Sequence, residues 1–377
     1  MGRRWLVARH LISMPPTPGS DETERLLLRI TGWQLPGVPV PGAIGAAEGA
    51  ALVNRAVVEG LLGPLVACID SGALTAPAEV VDRAVLAHER AMWWSLMLEQ
   101  RLLAIDEWFR AAGGVEYMVV KGPAVAHLDA VDPFLRSFGD LDLLVAGHSM
   151  DQALSVLEKN GAERAKPARR PGFDARFGKG VGTAFADGIQ VDVHRSLCGG
   201  AHGFRIPLHR LFASPDHFTL DGRQIPAPSR THRALHACYH AVASSSRPPI
   251  RTLRDLGWYL SEGDLTPAVL GAEARLWRGE AVLAEAVEST ITTLGLDLPE
   301  WQRWLSANPV DPAERRLLAK DRGRSNMPFH WSTVRELSWP DRAAFLWGVA
   351  MPSKELLRSR NQTPLSRVVS GVKRLAR

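Results

Sequence analysis

The amino-acid sequence predicts an α+β protein in which a small mixed sheet lies between an N-terminal helical segment and a C-terminal helical domain. Two observations lead to this prediction. Apolar residues recur at helical spacing in both outer parts of the chain, and short runs of strand-forming residues are concentrated in the middle. The chain has 377 residues, of which 46% are hydrophobic and 23% charged, as in ordinary globular proteins. We therefore expect three parts, at residues 1–95, 96–225 and 226–377.

The N-terminal part begins with a proline-rich leader that contains one helical stretch near residues 22–31. Residues 46–69 and 77–112 then have apolar side chains at helical spacing. The glycine pair Gly113-Gly114 follows the second stretch directly, which is typical of a helix C-terminus. This part is therefore predicted to be helical.

The middle part combines short strands with short helices. Residues 116–121 are rich in strand formers and are followed by Gly122 and Pro123, which predicts a strand, a tight turn and a helix through residue 128. An Asp187-Gly188 dipeptide between two apolar runs favours a β-hairpin. The two strands of this hairpin are predicted at residues 183–186 and 189–194. A further strand is predicted at residues 141–145, and it is followed by a helix at residues 149–160 that Gly161 closes.

Beyond about residue 226 the helical pattern returns and is interrupted at intervals by proline. We expect the twelve tryptophans, which lie mainly in the helical flanks, to pack in the core. The last segment, residues 354–377, holds seven lysines and arginines and the single acid Glu355. It is predicted to be a solvated basic tail, with contact to phosphate, nucleic acid or a membrane surface as the alternative.

Composition excludes several classes of site. The three cysteines, Cys68, Cys198 and Cys238, lie far apart without a CxxC pair, which argues against a disulfide framework and a cysteine zinc site and favours a cytoplasmic location. No apolar stretch is long enough for a membrane span, and the N-terminus does not have the pattern of a signal peptide. The net charge of +5 is compatible with an anionic substrate.

Two acids, Asp140 and Asp142, stand two residues apart at the start of a predicted strand, so alternation directs both carboxylates to one side. A third acid, Asp192, shares one face of another predicted strand with His194. If the two strands pair, the three carboxylates converge. Such a group suits Mg²⁺ or Mn²⁺ and therefore phosphoryl or nucleotidyl transfer, whereas an isolated pair of acids is more often a solvated strand edge.

Three segments together resemble the bacterial nucleotidyltransferase family of the polymerase-β-like superfamily, whose pattern is "LKG…GDiDlLV…vDlH". They are VVKGPA at residues 119–124, RSFGDLDLLV at 136–145 and VDVH at 191–194. The resemblance covers about a third of the chain, from near residue 88 to near residue 194. It implies a nucleotidyltransferase core around the small mixed sheet.

The resemblance also implies roles for individual residues. Asp140 and Asp142 would bind the metal ions that hold a nucleoside triphosphate, expected to be ATP, and Asp192 would join them and help to activate the acceptor hydroxyl. His194 would orient Asp192, and the alternative is a packed, hydrogen-bonded histidine without a function. The residues expected to bind the nucleotide are Lys121, Gly122, Arg136, Ser137 and Gly139.

The acceptor is less constrained than the metal site. By resemblance it is a small molecule or a modified peptide of a natural-product or polysaccharide pathway, and tRNA is the alternative acceptor. A non-catalytic nucleotide- or peptide-binding module is the other alternative. It is supported by Pro123, which has no N–H to donate where the superfamily has a small polar residue. Lys121 is equally compatible with a surface ion pair, and His236 and His240 with core packing or with a cleft wall.

Overall fold

The computed structural model describes residues 21–243, 247–322 and 327–359 of the chain. Within them the predicted α+β class is confirmed, because a small mixed sheet is flanked by helices on both sides of the sequence. The start of the proline-rich leader, residues 1–20, and most of the basic tail, residues 360–377, lie outside the described residues. None of the described helices is both long and apolar enough to cross a membrane.

The N-terminal part is helical, as predicted. The stretch at residues 46–69 is divided in two at Gly60, whose left-handed backbone (φ 68°) ends the first helix. The helices and the short parallel strand pair of this part are α1 (Asp21–Gly32), β1 (Gly42–Ala43), α2 (Ala46–Glu59), α3 (Leu62–Asp70), β2 (Leu74–Thr75) and α4 (Ala78–Ala111).

A five-stranded sheet forms the centre of the molecule. Its strands are β3 (Tyr117–Val119), β4 (Leu141–Val145), β5 (Glu163–Arg164), β6 (Gly180–Ala184) and β7 (Gln190–His194), and their spatial order is β3-β4-β7-β6-β5. Strands β4 and β7 are parallel, and the other neighbours are antiparallel. The predicted Asp187-Gly188 hairpin is confirmed between β6 and β7, where the Gly188 amide donates to the Phe185 carbonyl (3.0 Å).

Short helices connect the strands, and a second hairpin follows the sheet. The hairpin turns at Asp221-Gly222, the same dipeptide type as the first, but it was not among the predicted elements. These elements are α5 (Pro123–Leu128), α6 (Met150–Lys159), α7 (Phe173–Phe177), α8 (Gly200–Arg205), α9 (Leu208–Ala213), β8 (Asp216–Leu220) and β9 (Arg223–Ala227), with short 3-10 turns at Pro133–Leu135 and Gly147–Ser149.

The described part of the chain after β9 is helical. Pro267 and Pro299 are the first residues of two of these helices, because a proline at this position loses no helical hydrogen bond. The helices are α10 (Arg230–Ala243), α11 (Ile250–Ser261), α12 (Pro267–Leu276), α13 (Glu280–Leu294), α14 (Pro299–Ala307), α15 (Pro312–Arg322), α16 (Met327–Glu336), α17 (Trp339–Ala350) and α18 (Lys354–Ser359).

The tryptophans divide into two groups. Trp277 and Trp301 are 0% and 2% exposed, as expected for core residues. Four others are exposed, so for them the expectation of core packing was wrong: Trp93 (70%), Trp331 (53%), Trp339 (80%) and Trp347 (56%). Trp93 lies on the outer face of α4, whereas its neighbour Trp94 packs against the hydrophobic core beside the sheet.

The two faces of the sheet pack against different cores. Leu143 and Val193 point into a core shared with α4 and α6. Leu144 points to the opposite side, into the core of the C-terminal helices. Because side chains alternate along a strand, Asp142 and Asp192 also face the C-terminal helices. The expected division at residue 95 falls within the continuous helix α4, and the three-part division remains a prediction.

Candidate functional site

The two strands that carry the acids are neighbours, as the hypothesis of converging carboxylates requires. Asp142 of β4 is the direct partner of Asp192 of β7, and Leu144 is the partner of His194. In a parallel pair, partners in register project on the same face. The side chains of Asp142, Asp192 and His194 therefore stand together on the face toward the C-terminal helices.

These three side chains form a compact group. One oxygen of each carboxylate and one ring nitrogen of His194 all lie within 4.8 Å of one another. Asp142 and His194 are each 5% exposed, and Asp192 is half-buried. Two carboxylates with one imidazole are a donor set that accepts Mg²⁺ or Mn²⁺, because carboxylate oxygens favour hard cations.

His194 bonds to Asp142 rather than to Asp192. Its Nε2 donates to Asp142 Oδ1 at 2.5 Å, so the expectation that it orients Asp192 was wrong. Both Asp142 and Asp192 share a face with His194, so side-chain alternation alone does not decide which acid accepts its hydrogen bond. Burial lowers the pKa of His194 despite the bond to Asp142, which keeps the ring neutral near pH 7. The Nδ1 atom of His194 is buried and has no hydrogen-bond partner among the described residues.

Lys121 neutralises Asp142 in this structure. Its Nζ lies 3.3 Å from Oδ1 and 3.2 Å from Oδ2 of that carboxylate. Burial acts to raise the pKa of Asp142, but the Lys121 charge and the His194 hydrogen bond outweigh burial and hold the pKa well below its usual range. Asp142 is therefore an ionised carboxylate that already faces a cation.

Asp140 precedes β4 by one residue and does not belong to the compact group. The residue as a whole is exposed, yet its carboxylate borders the cleft beside Asp142. Loss of surrounding water and the Asp142 charge raise the pKa of Asp140 to about 6. Asp140 is thus close enough to influence the group electrostatically without forming part of it.

Helix α4 fixes the segment that leads to Asp140. Trp94 Nε1 donates to the Gly139 carbonyl (3.2 Å), and the Phe138 amide donates to Ser95 Oγ (3.1 Å). Ser137 is buried, and its carbonyl accepts from Arg136 Nη1 at 3.1 Å. Gly139 and Ser137, expected to bind nucleotide, therefore have backbone contacts that shape the loop.

The turn before α5 has the predicted glycine but few amides to offer. Gly122 has a backbone conformation (φ 48°) that residues with side chains rarely adopt, and a Cβ there would lie 3.3 Å from the Phe138 ring. Pro123 has no N–H, and the Ala124 amide donates to the Lys121 carbonyl (3.0 Å). Neither the Pro123 nor the Ala124 position can therefore donate a backbone N–H to a phosphate.

Arg136 is paired with a carboxylate. Its Nε and Nη2 donate to the two oxygens of Asp255 in α11, at 3.0 and 2.7 Å. A second arginine of the cleft wall, Arg233, makes the same fork-like contact with Asp129, at 2.7 Å for both bonds. Neither Asp255 nor Arg233 could be identified from the sequence, because each meets its partner across more than one hundred residues.

These residues line a cleft of about 120 Å³ between the sheet and the helices α10 and α11. The two histidines that were expected to pack in the core or to line a cleft do border it. His236 Nδ1 donates to the Val120 carbonyl (3.1 Å), and His240 Nδ1 lies 2.9 Å from Thr252 Oγ1. Burial lowers the pKa of both histidines, to about 3 for His240, so both are neutral.

A larger cleft of about 720 Å³ lies elsewhere, between α8, α15 and α16, and shares no residue with the first one. The acids all belong to the smaller cleft or lie beside it. We therefore assign the candidate active site to the smaller cleft.

Comparison with known proteins agrees with this location. The model of a family described as uncharacterised nucleotidyltransferases matches residues 46–290, more than half of the chain, and this range includes both the acids and the cleft. No curated protein and no solved structure matches the chain.

Proposed function

Since the chain belongs to the family of uncharacterised nucleotidyltransferases, we propose that Asp140, Asp142 and Asp192 form its metal-dependent active site. The proposed reaction transfers a nucleoside monophosphate from a nucleoside triphosphate to a hydroxyl or phosphate group. The observation that carries the proposal is the direct pairing of Asp142 with Asp192, which brings two carboxylates and His194 into one compact group beside a cleft.

The donor set fits a divalent cation. Asp142 and Asp192 would hold Mg²⁺ or Mn²⁺, with Asp140 at the border of the site and His194 keeping Asp142 in position. A metal bound there would neutralise phosphate charge and lower the pKa of an acceptor hydroxyl. The close approach of the Lys121 ammonium to the buried Asp142 carboxylate supports this assignment, because a buried carboxylate needs a nearby cation.

The residues of the chain would act on either side of the transferred phosphorus. The acceptor oxygen forms a bond to the α-phosphorus while the bond to the bridging oxygen breaks, and pyrophosphate leaves. Asp192, the half-buried acid, would take the proton of the acceptor hydroxyl. Lys121 would contribute its charge to the phosphates once a metal ion replaces it at Asp142.

The nucleotide and the acceptor are proposed on the resemblance alone. We propose ATP as the nucleotide and a small molecule or modified peptide of a natural-product or polysaccharide pathway as the acceptor. Nucleic acid, in particular tRNA, is the less favoured acceptor. All three cysteines are buried and form no disulfide within the described residues, which supports a reducing compartment such as the cytoplasm.

One observation favours a second candidate, a module that binds a nucleotide or peptide without turnover. The positions Pro123 and Ala124 have no free N–H for a phosphate, although this is where the superfamily binds one. The three acids argue for turnover, since a binding module gains little from clustered carboxylates.

The test is a transfer assay with each α-labelled nucleoside triphosphate, Mg²⁺ or Mn²⁺, and a panel of peptide, small-molecule and tRNA acceptors. We expect label transfer by the wild type and none by Asp142→Asn or Asp192→Asn, because each substitution removes a metal-binding charge. Asp151→Asn, on an exposed face of α6, is the matched control and should remain active. Full activity of Asp142→Asn would refute the proposal, and nucleotide binding without any turnover would favour the module.

A further inference from the structure

Arg251 differs from the other arginines of the cleft because, among the described residues, no carboxylate pairs with it. It extends from α11 into the cleft wall and donates one long hydrogen bond, from Nη1 to the Ser137 carbonyl at 3.4 Å. Arg136 and Arg233 each have a carboxylate at 2.7 Å. In the part of the chain that the structure describes, Arg251 forms no ion pair.

The charge of Arg251 is balanced poorly. The neighbouring Arg136 guanidinium, followed by burial, lowers the pKa of Arg251 to about 10, and the charges of Asp255, Asp140 and Asp142 offset this only in part. At neutral pH the side chain is still a cation. A half-buried guanidinium beside a second guanidinium is stabilised by any anion that enters the cleft.

The position of Arg251 depends on Gly60 at the end of α2. A Cβ at Gly60 would lie 2.7 Å from Arg251 Nη1, so a side chain there would force the guanidinium to move. The carbonyl end of a helix also favours a nearby cation. The helix α2, which lies outside the resembling motifs, therefore helps to hold this arginine at the cleft.

We infer that Arg251 binds the polyphosphate tail of the nucleotide, across the cleft from the acids, in place of backbone amides at the start of α5. A guanidinium fork matches phosphate oxygens, and the amides at Pro123 and Ala124 cannot. The inference rests on the proposed function, because it assigns one end of the same substrate. It makes a C-terminal helix part of the nucleotide site.

The direct test is calorimetry on the full chain with inorganic tripolyphosphate and with a nucleoside triphosphate. We expect Arg251→Gln to weaken the binding of both ligands by about 10- to 100-fold, the usual effect of losing hydrogen bonds to a charged group. Arg251→Lys, which keeps the charge but loses the fork, should weaken them less. Arg275→Gln, at an exposed position of α12, is the matched control and should bind as the wild type does.

A second test displaces the Arg251 side chain without replacing it, and it uses one variant next to Arg251 and one control variant. Gly60→Ala and Gly72→Ala introduce the same left-handed strain, since the φ angles of the two glycines are 68° and 75°, but a Cβ at Gly72 meets no atom within 4 Å. We expect Gly60→Ala to weaken tripolyphosphate binding by about 10-fold, and Gly72→Ala to leave it unchanged. Equal binding by both variants would count against the inference, even if Arg251→Gln were to misfold.

Failure of the inference and failure of the proposed function give different results. Mn²⁺ binding without nucleotide, followed by electron paramagnetic resonance, reports the acids alone. If the wild type binds neither Mn²⁺ nor tripolyphosphate, the proposed function fails. If the wild type binds both, and folded Arg251→Gln binds tripolyphosphate equally well, the inference is overturned while the proposed function stands.

Discussion

Lys121 competes with any added cation for Asp142. Its ammonium lies almost equally far from the two carboxylate oxygens, at 3.3 and 3.2 Å, and is only partly exposed. A metal ion that binds this carboxylate must overcome the repulsion of the ammonium or displace it. The lysine therefore has opposite effects on metal binding and on nucleotide transfer. It disfavours metal binding because it stabilises the metal-free site, and it favours transfer because it supplies positive charge to the phosphates.

We predict that Lys121→Met binds Mn²⁺ about 3- to 10-fold more tightly than the wild type without nucleotide, because a repulsive charge is removed. The same variant should transfer nucleotide more slowly, because it lacks a phosphate contact. Electron paramagnetic resonance measures the first effect and the transfer assay the second. Lys159→Met, exposed on α6, serves as the control. Weaker Mn²⁺ binding by Lys121→Met would show that the lysine supports the metal instead.

Among the elements, the loop before β4 and the helix α11 are joined by the pair of Arg136 with Asp255. Both side chains are 13% exposed, so each charge is largely removed from water. Arg251 stands next to this pair and shares the Asp255 charge. The one carboxylate therefore pairs with Arg136 and also offsets part of the Arg251 charge, so we expect its loss to have a larger effect than the loss of either arginine.

We predict that Asp255→Asn lowers the free energy of unfolding by about 2–4 kcal/mol, because two guanidiniums lose their balancing charge. Arg136→Met should lower the free energy of unfolding by about half as much, because the Asp255 carboxylate can then pair with the Arg251 guanidinium. Urea unfolding followed by tryptophan fluorescence measures both. The exposed pair Arg101 with Asp187 (2.6 Å) is the control, with an expected effect below about 1 kcal/mol for Asp187→Asn. Equal costs for Asp255→Asn and Arg136→Met would contradict this account.

Local signals predicted most elements, and long-range contacts account for what was missed. The turn Asp187-Gly188 and the alternation around Asp192 were sufficient to predict the hairpin and the acid-bearing face, because both are set by residues a few positions apart. The turn Asp221-Gly222 carries the same signal, so the second hairpin could have been found as well. Arg136 pairs with Asp255 from 119 residues away, and no local pattern specifies such a pair.

At the scale of the whole molecule, the cleft lies where the C-terminal helices α10 and α11 pack on one face of the sheet. Neutral, largely buried histidines occupy this junction: His236 bonds to the carbonyl after β3, and His240 lies beside Thr252 of α11. Lys121 and Lys179 face them and, after burial, further disfavour their protonation. Protonation of these histidines is therefore coupled to the packing of the C-terminal helices on the sheet.

We predict that the fold loses stability on acidification. The folded-state pKa of His236 and of His240 lies below the unfolded value of 6.5, so the unfolded chain binds more protons. Their contribution is complete above pH 6.5 and is lost as the pH falls toward about 3, the folded-state pKa of His240. Each histidine accounts for up to about 1.4 kcal/mol per pH unit in this range. Urea unfolding at pH 7.5, 6.5 and 5.5 measures the slope.

Variants separate the contribution of the histidines to the pH dependence of stability from that of Asp140. The raised pKa of Asp140, about 6, stabilises the fold as the pH falls and so acts against the histidines. His240→Gln should flatten the loss of stability between pH 6.5 and 5.5. His217→Gln, at an exposed position of β8, should keep the slope of the wild type. A slope unchanged by His240→Gln would mean that other groups govern the acid sensitivity.

The long helix α4 limits how this protein can be divided for expression. At 1.5 Å per residue its 34 residues extend over roughly 51 Å. Its first part packs in the N-terminal hydrophobic core, and a later part contacts the loop before Asp140. Its residues Trp94 and Ser95 bond to that loop. A fragment that starts at residue 96 would therefore lack the two side chains that hold the loop. An expression fragment that is meant to keep this loop in place should therefore contain the whole of α4 as well as the acids.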